Sequence, residues 1–162
     1  MSADQGPPMP QPTAEHTDLL KMVGKWNIHC KFFMEPGQPP METEAKETVE
    51  AVGPFWITCK FESNFMGAPF SGRASVGYEP HTKRYVSTWI DSMAPVFFHL
   101  TGEKRGNSIE MKGNAFSCMV NAVIPHRTVE RHLSVNEHIF DMYCTPPGSP
   151  EIHMMSNHYK RA

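Results

Sequence analysis

The sequence predicts an all-β protein: a closed antiparallel barrel of about 8–10 strands with a short N-terminal helix. From Trp26 almost to the last residue, apolar and polar side chains alternate in segment after segment, as in strands with one buried face. Short turns rich in Gly and Pro separate these segments. One open sheet of so many strands would leave two exposed edges, whereas closure removes both edges and buries one face. An antiparallel sandwich is the main alternative.

Length and composition predict one folded domain and a disordered tail. The chain has 162 residues, and we assign a single β-barrel domain to residues 13–162. Residues 1–12 are rich in Pro and Gln, so we expect them to be disordered. The sequence has no apolar stretch long enough to span a bilayer and no secretory signal pattern, so we expect a cytoplasmic protein that does not enter membranes.

Charge and cysteine spacing narrow the classes of partner. The formal net charge is -2 and Lys and Arg are scattered, which argues against nucleic acid as a partner. The four cysteines are far apart, without a Cys-x-x-Cys pair, which argues against a zinc site built from them and favours buried free thiols over disulfides. They are Cys30, Cys59, Cys118 and Cys144.

The helix is predicted to begin after Thr13, whose side chain can cap it. Glu15 and Asp18 lie in its early turns, where the helix dipole favours acids, and Gly24 ends it. A helix this short is not stable alone, so we expect it to cover one end of the barrel.

Four strands are predicted in the first half of the chain. Residues 26–34 form the first, and residues 42–52, which are mostly charged residues and Thr, form a second that is exposed or faces a wet interior. Residues 55–65 alternate most regularly. The turn at Gly67-Ala68-Pro69 then leads into residues 74–78, which completes a hairpin.

The second half continues with further hairpins and one less regular stretch. Residues 115–133 include Pro125 and are predicted to be irregular. The remaining strands are predicted over residues 85–93, 96–104, 108–113, 135–144 and 151–160.

Several short motifs carry a family resemblance. They are Gly24-Lys25-Trp26, Glu35-Pro36-Gly37, Gly77-Tyr78-Glu79, the run from Tyr85 to Met93 and Asp141-Met142-Tyr143. In these motifs the chain resembles the bacterial family known as domain of unknown function 1579. The resemblance implies a lipocalin-like, or calycin-like, barrel in which Arg161 stacks on Trp26 at one end. It implies no activity.

One strand carries the residue types of a ligand pocket. Trp89 and Asp91 are two residues apart, so they point to the same face. If that face lines the interior, an aromatic wall beside one carboxylate is suited to a small molecule. In the alternative interpretation, Trp89 is part of the core and Asp91 caps a backbone turn.

Asp141 and Tyr143 form a similar pair on the penultimate strand, and Tyr78 adds a further aromatic group. The sequence therefore predicts a protein that binds a small, largely apolar ligand inside the barrel. The predicted binding residues are Tyr78, Trp89, Asp91, Asp141 and Tyr143.

Other classes of function stay open. A hydrolase or isomerase would use Asp91, Asp141 or a histidine as its base, but no Gly-x-Ser-x-Gly or His-Glu-x-x-His motif is present, so the sequence favours a non-enzyme and assigns no catalytic residue. Nine histidines admit a metal, although none of those in strands recur at the two-residue spacing of a shared face. The resemblance to calycin-like barrels, some of which hold haem through a histidine on a late strand, implies His158 as the haem ligand in the alternative of a haem protein. We assign no cofactor and no metal ligand. A solid barrel that forms a homodimer is the third hypothesis.

Overall fold

The computed structural model describes residues 6–162 as one helix and ten strands. Helix α1 spans Ala14–Leu20. The strands are β1 (Gly24–Phe32), β2 (Met41–Val52), β3 (Trp56–Phe65), β4 (Ala68–Glu79), β5 (Arg84–Asp91), β6 (Phe98–Arg105), β7 (Ser108–Ser117), β8 (Ala122–Ser134), β9 (Glu137–Cys144) and β10 (Ile152–Arg161). Residues 6–12 have no regular secondary structure, and the rest of the predicted tail, residues 1–5, lies outside the described residues.

The ten strands close into one antiparallel barrel. Each strand pairs with its neighbours in the chain, and β10 returns to pair with β1, where Trp26 lies opposite Arg161 and Phe32 opposite Met155. The predicted fold class is therefore confirmed, with the strand number at the upper end of the expected range. The sandwich is excluded, since the ladder runs around the barrel without a break.

The alternation in β1 has the predicted consequence. Trp26, Ile28 and Cys30 are buried inside the barrel. Met34 does not continue the pattern, because β1 ends at Phe32 and Met34 lies exposed in the following turn. The tight turn from β3 to β4 has positive φ at both Met66 and Gly67, as a two-residue hairpin requires.

The irregular stretch predicted around Pro125 is wrong, because this segment forms most of β8, the longest strand. Pro125 pairs with Asn114 of β7, and regular pairing with β9 begins only at His126. The carbonyl of Pro125 accepts a hydrogen bond from Thr145 at 3.0 Å. Proline is tolerated here because it lies where the second ladder has not yet begun, so no regular pair needs its missing N–H.

Helix α1 covers one end of the barrel, as predicted. The backbone N–H of Thr13 donates to Nδ1 of His16 at 2.9 Å, so the other ring nitrogen carries the proton and donates to the carbonyl of Tyr78 at 2.8 Å. This histidine joins the start of the helix to the end of β4. Leu19 is buried beneath the helix and faces the interior.

Arg161 holds the same end of the barrel together. Its guanidinium lies 4.3 Å above the buried ring of Trp26, which confirms the expected stacking. The guanidinium also donates to the carbonyls of Lys21, Val23 and Val135 and to Oδ1 of Asn136, at 2.8–3.1 Å. A Cβ at Gly24 would lie 2.7 Å from Nη1 of Arg161, so the glycine of the Gly-x-Trp motif makes room for the guanidinium.

Candidate functional site

The interior of the barrel holds a cavity of about 470 Å³. This volume lies within the range of small-molecule sites, about 300–1,000 Å³. Leu19 and Met22 close the cavity at the helix end. Met93 and Met119, in loops at the other end, also line the cavity although they are 59% and 77% exposed, which marks that end as the mouth. The hypothesis of a barrel packed solid is therefore wrong.

Most of the cavity wall is apolar. Aromatic and sulfur-containing side chains dominate its middle and its mouth, and such walls adapt to a ligand's shape. The principal groups are Phe32, Phe61, Phe65, Phe70, Trp89, Phe98, Phe140, Met111, Met142, Met154 and Met155.

Polar groups on the wall include two carboxyl groups, Glu47 of β2 and Glu130 of β8. Burial raises the pKa of Glu47 to about 8, with the charge of Glu130 as a second cause. Burial likewise raises the pKa of Glu130 to about 7. Strongly raised pKa values in a cavity are typical of functional sites. Glu47 is not among the residues predicted from the sequence, because most residues of its strand are charged or Thr and an acid that faces the interior looks the same there as one that faces water.

Glu130 lies beside two histidines at the helix end of the barrel. Its Oε1 is 3.5 Å from Nε2 of His138 and 3.6 Å from Nε2 of His132. His138 is fully enclosed, stacked on Tyr159 and in edge contact with Trp26, whereas the His132 side chain is 28% exposed at the rim. Burial lowers the pKa of His138 to about 3, with smaller contributions from its neighbours His132, Arg161 and His158, so its ring is neutral.

Two buried oxygens in the wall have no hydrogen-bond partner within residues 6–162. They are Oε1 of Glu130 and Oδ1 of Asn157. Asn157 lies on β10 opposite Cys30 and faces the cavity. Because a buried polar atom without a partner costs stability, both oxygens are candidates for contact with a bound group.

Trp89 and Asp91 line the interior as pocket residues would, and Asp91 also caps a backbone turn, so both interpretations of this pair apply. Both line the cavity. The indole N–H of Trp89 donates to Oδ2 of Asp91 at 2.9 Å, and the backbone N–H groups of Met93 and Ala94 donate to Oδ1. The carboxylate therefore caps the turn at the mouth and fixes the indole in the wall.

Replacing Asp91 by alanine is expected to lower the free energy of unfolding by about 2 kcal/mol, because three hydrogen bonds to a charged acceptor are lost. Chemical denaturation monitored by circular dichroism measures this change. The exposed Glu50, on β2, provides a matched loss of one carboxylate, and E50A should change stability by less than about 0.5 kcal/mol. Equal effects of the two variants would contradict the assigned role of Asp91.

The other three predicted binding residues lie outside the cavity wall. Tyr78 packs against Tyr85 and His16 beneath the helix. Asp141 and Tyr143 are on the outer face, because on β9 it is Phe140 and Met142 that line the cavity. The prediction that Asp141 and Tyr143 face the interior is therefore corrected.

Asp141 and Tyr143 belong to a network that joins β8, β9 and β10 on the outside. Nε2 of His153 is 2.9 Å from Oδ1 of Asp141, and its ring stacks on Tyr143. The guanidinium of Arg127 lies 4.2 Å above the ring of Tyr143 and forms an ion pair with Glu151. These charges satisfy one another, so the network has a structural explanation.

His158 also faces outwards. Its Nε2 lies 2.6 Å from Oε1 of Glu137, and its neighbours Asn157 and Tyr159 face the cavity instead. It is therefore not placed to ligate a haem inside the barrel. All four cysteines are free; Cys30, Cys59 and Cys144 are buried as predicted, whereas Cys118 is exposed.

Comparisons with known proteins agree with this fold. The sequence model of a family described as "Protein of unknown function (DUF1579)" matches residues 11–161. None of the curated proteins matches the chain. No helix among residues 6–162 has the length and apolar character needed to cross a membrane.

Solved structures similar to the chain are barrels of low sequence identity. The crystal structure of Rv2717c from M. tuberculosis is similar with a TM-score of 0.69 and 13% identity, over 94% of this chain and 99% of that one. EF1p2_mFAP2b bound to DFHBI is similar with a TM-score of 0.50 and 9% identity, over 92% of this chain and 100% of that one. At these identities the likeness concerns the fold alone.

Proposed function

The chain belongs to the DUF1579 family of proteins of unknown function, and we propose that it binds a small, largely apolar molecule inside its barrel. The observation that carries this proposal is the cavity of about 470 Å³, with an apolar wall and few polar groups. The ligand enters past Met93 and Met119, and the apolar wall around Trp89 holds its body. The similar barrel EF1p2_mFAP2b is bound to DFHBI, which supports a ligand-holding role for such a barrel.

The unpartnered Oδ1 of Asn157 adds a preference for a ligand that carries a hydrogen-bond donor. A donor from the ligand would satisfy this buried acceptor, whereas a purely apolar molecule would leave it without a partner. A neutral probe with these two properties is N-phenyl-1-naphthylamine, which joins two aromatic groups through one N–H. Its fluorescence increases when it leaves water.

The test fills the cavity from within the wall. Ala74 of β4 lies opposite Trp89 and faces the cavity, so A74F places a ring in the space of the ligand. We expect the wild-type chain to bind one probe per barrel with micromolar affinity, and A74F to weaken binding at least about tenfold. Fluorescence titration measures both affinities.

The matched control is S75F, which adds the same ring one residue along the strand, where side chains point to the outer face. It should bind the probe as the wild-type chain does. If A74F and S75F bind equally, the probe occupies some other surface and the proposal fails. Native mass spectrometry of the purified protein is an independent test, since a retained small molecule should be displaced by the probe.

An enzyme is the second candidate. The raised pKa values of Glu47 and Glu130 favour these two carboxyl groups as the catalytic acid or base over Asp91 and Asp141, which the sequence suggested. Asp91 is already engaged by three N–H groups, and Asp141 lies outside. A hydrolase or isomerase would then use Glu47 as its acid or base. Turnover of small esters or enones that is lost in E47Q, with probe binding retained, would support it.

A further inference from the structure

Three potential metal ligands converge where β8 turns into β9. Glu130 and His132 are two residues apart on β8 and so share a face, and His138 of β9 lies directly opposite His132. One oxygen and two ring nitrogens, all three atoms within 4.8 Å of one another, come together here. This set is hard to find in the sequence. A glutamate, not a second histidine, stands two residues from His132, and the other histidine comes from the next strand.

The distances within this set fit a common ion better than they fit hydrogen bonds. Oε1 of Glu130 lies 3.5 and 3.6 Å from the two Nε2 atoms, and it is buried without a hydrogen-bond partner within residues 6–162. Two ligand atoms about 2.0–2.1 Å from a tetrahedral zinc ion are themselves about 3.4 Å apart. Small movements would therefore bring all three atoms into bonding distance of one ion.

Rigidity and access also suit a metal site. Stacking on Tyr159 and the edge of Trp26 fix the ring of His138, which keeps one ligand in place before an ion arrives. His132 is partly exposed at the rim, so an ion can reach the site without opening the barrel.

We propose that Glu130, His132 and His138 bind one divalent transition-metal ion at the helix end of the cavity. Two imidazoles and one carboxylate are a ligand set that zinc and non-haem iron both accept. Three protein ligands leave a position for water or for a ligand atom, and Glu130 and His138 also line the cavity. The ion would thus face the space assigned to the apolar ligand. The metal proposal does not depend on that ligand, since its test uses metal alone.

The test titrates zinc into the full chain after removal of metal with a chelator. Calorimetry should give one zinc per chain with a dissociation constant in the micromolar range or below, and zinc should raise the melting temperature. H132Q and E130Q should each weaken binding at least about 100-fold, more than the loss of an outer-shell partner causes. H158Q removes a histidine that pairs with Glu137 on the outer face, and its affinity should equal that of the wild-type chain.

Two results would overturn the proposal. One is the absence of stoichiometric binding by the wild-type chain in the micromolar range. The other is equal binding by H132Q and H158Q, which would mean that zinc binds adventitiously to surface histidines. If E130Q does not fold, the test rests on H132Q, whose substituted residue is partly exposed at the rim. X-ray absorption of the zinc-loaded wild-type chain needs no variant: it should show two imidazoles and oxygen, and sulfur ligands would contradict the assignment.

Discussion

The variant R161A is expected to lower the free energy of unfolding by about 2–4 kcal/mol. Its guanidinium makes four hydrogen bonds to the segments that precede β1 and that join β8 to β9, and it covers the ring of Trp26. Without it, three backbone carbonyls lose a charged donor and the indole becomes exposed to water. Chemical denaturation measures the change.

Two controls separate geometry from charge. R161K keeps the positive charge but not the planar fork, so its loss should be more than half that of R161A. K160A removes a neighbouring exposed cation and should change stability by less than about 0.5 kcal/mol. Equal losses in R161A and K160A would contradict the role assigned to the guanidinium.

Glu47 is expected to make the stability of the fold fall as pH rises. Its carboxyl has a pKa of about 8 in the folded chain against an ordinary value of 4.5, so the folded chain keeps a proton that the unfolded chain releases. This contribution is fully present below pH 4.5 and is lost as the pH approaches 8. The titratable groups that interact with Glu47 from β1, β3, β8 and β10 are also acids, and burial raises the pKa of each: Cys30, Cys59, Glu130 and Tyr159. The charge of Glu130 raises the pKa of Glu47 further, whereas the hydrogen bond with Cys59 opposes part of the shift.

The variant E47Q cannot ionise, so it should be more stable than the wild-type chain by a few kcal/mol at pH 8 and nearly equal to it at pH 4.5. Denaturation over a pH series, with chelator present to keep metal away from Glu130, measures the difference. E50Q removes an exposed carboxyl from the same strand and should follow the wild-type curve. An E47Q curve parallel to the wild-type curve would show that Glu47 ionises freely in the fold.

Much of the fold followed from the sequence because alternation reports burial directly. The residues of β1 and β3 alternate over a mainly apolar interior, and their turns carry Gly and Pro, so their positions were predictable. Pro125 misled the prediction for β8, because proline breaks a strand only where its N–H would be needed, and that depends on which neighbour has begun to pair.

The site was less predictable, because it depends on which face of each strand points inwards. Trp89 and Asp91 lie in the cavity wall, but the same pattern at Asp141 and Tyr143 lies outside. An acidic residue that faces the interior, such as Glu47, cannot be distinguished in the sequence from one that faces water. The pairing of His132 with His138 depends on the register after an irregularity between His132 and Ser134, which spacing alone does not reveal.

The pairing of β1 with β10 has a consequence for how the chain folds. One edge of β1 pairs with β2, but its other edge pairs with β10, more than a hundred residues away in the sequence. During synthesis the growing sheet therefore has two free edges until residues 152–161 have been made. Such long-range closure is slow compared with the formation of hairpins. Arg161, on β10, bonds to residues on both sides of the seam, so closure of the barrel also covers the ring of Trp26.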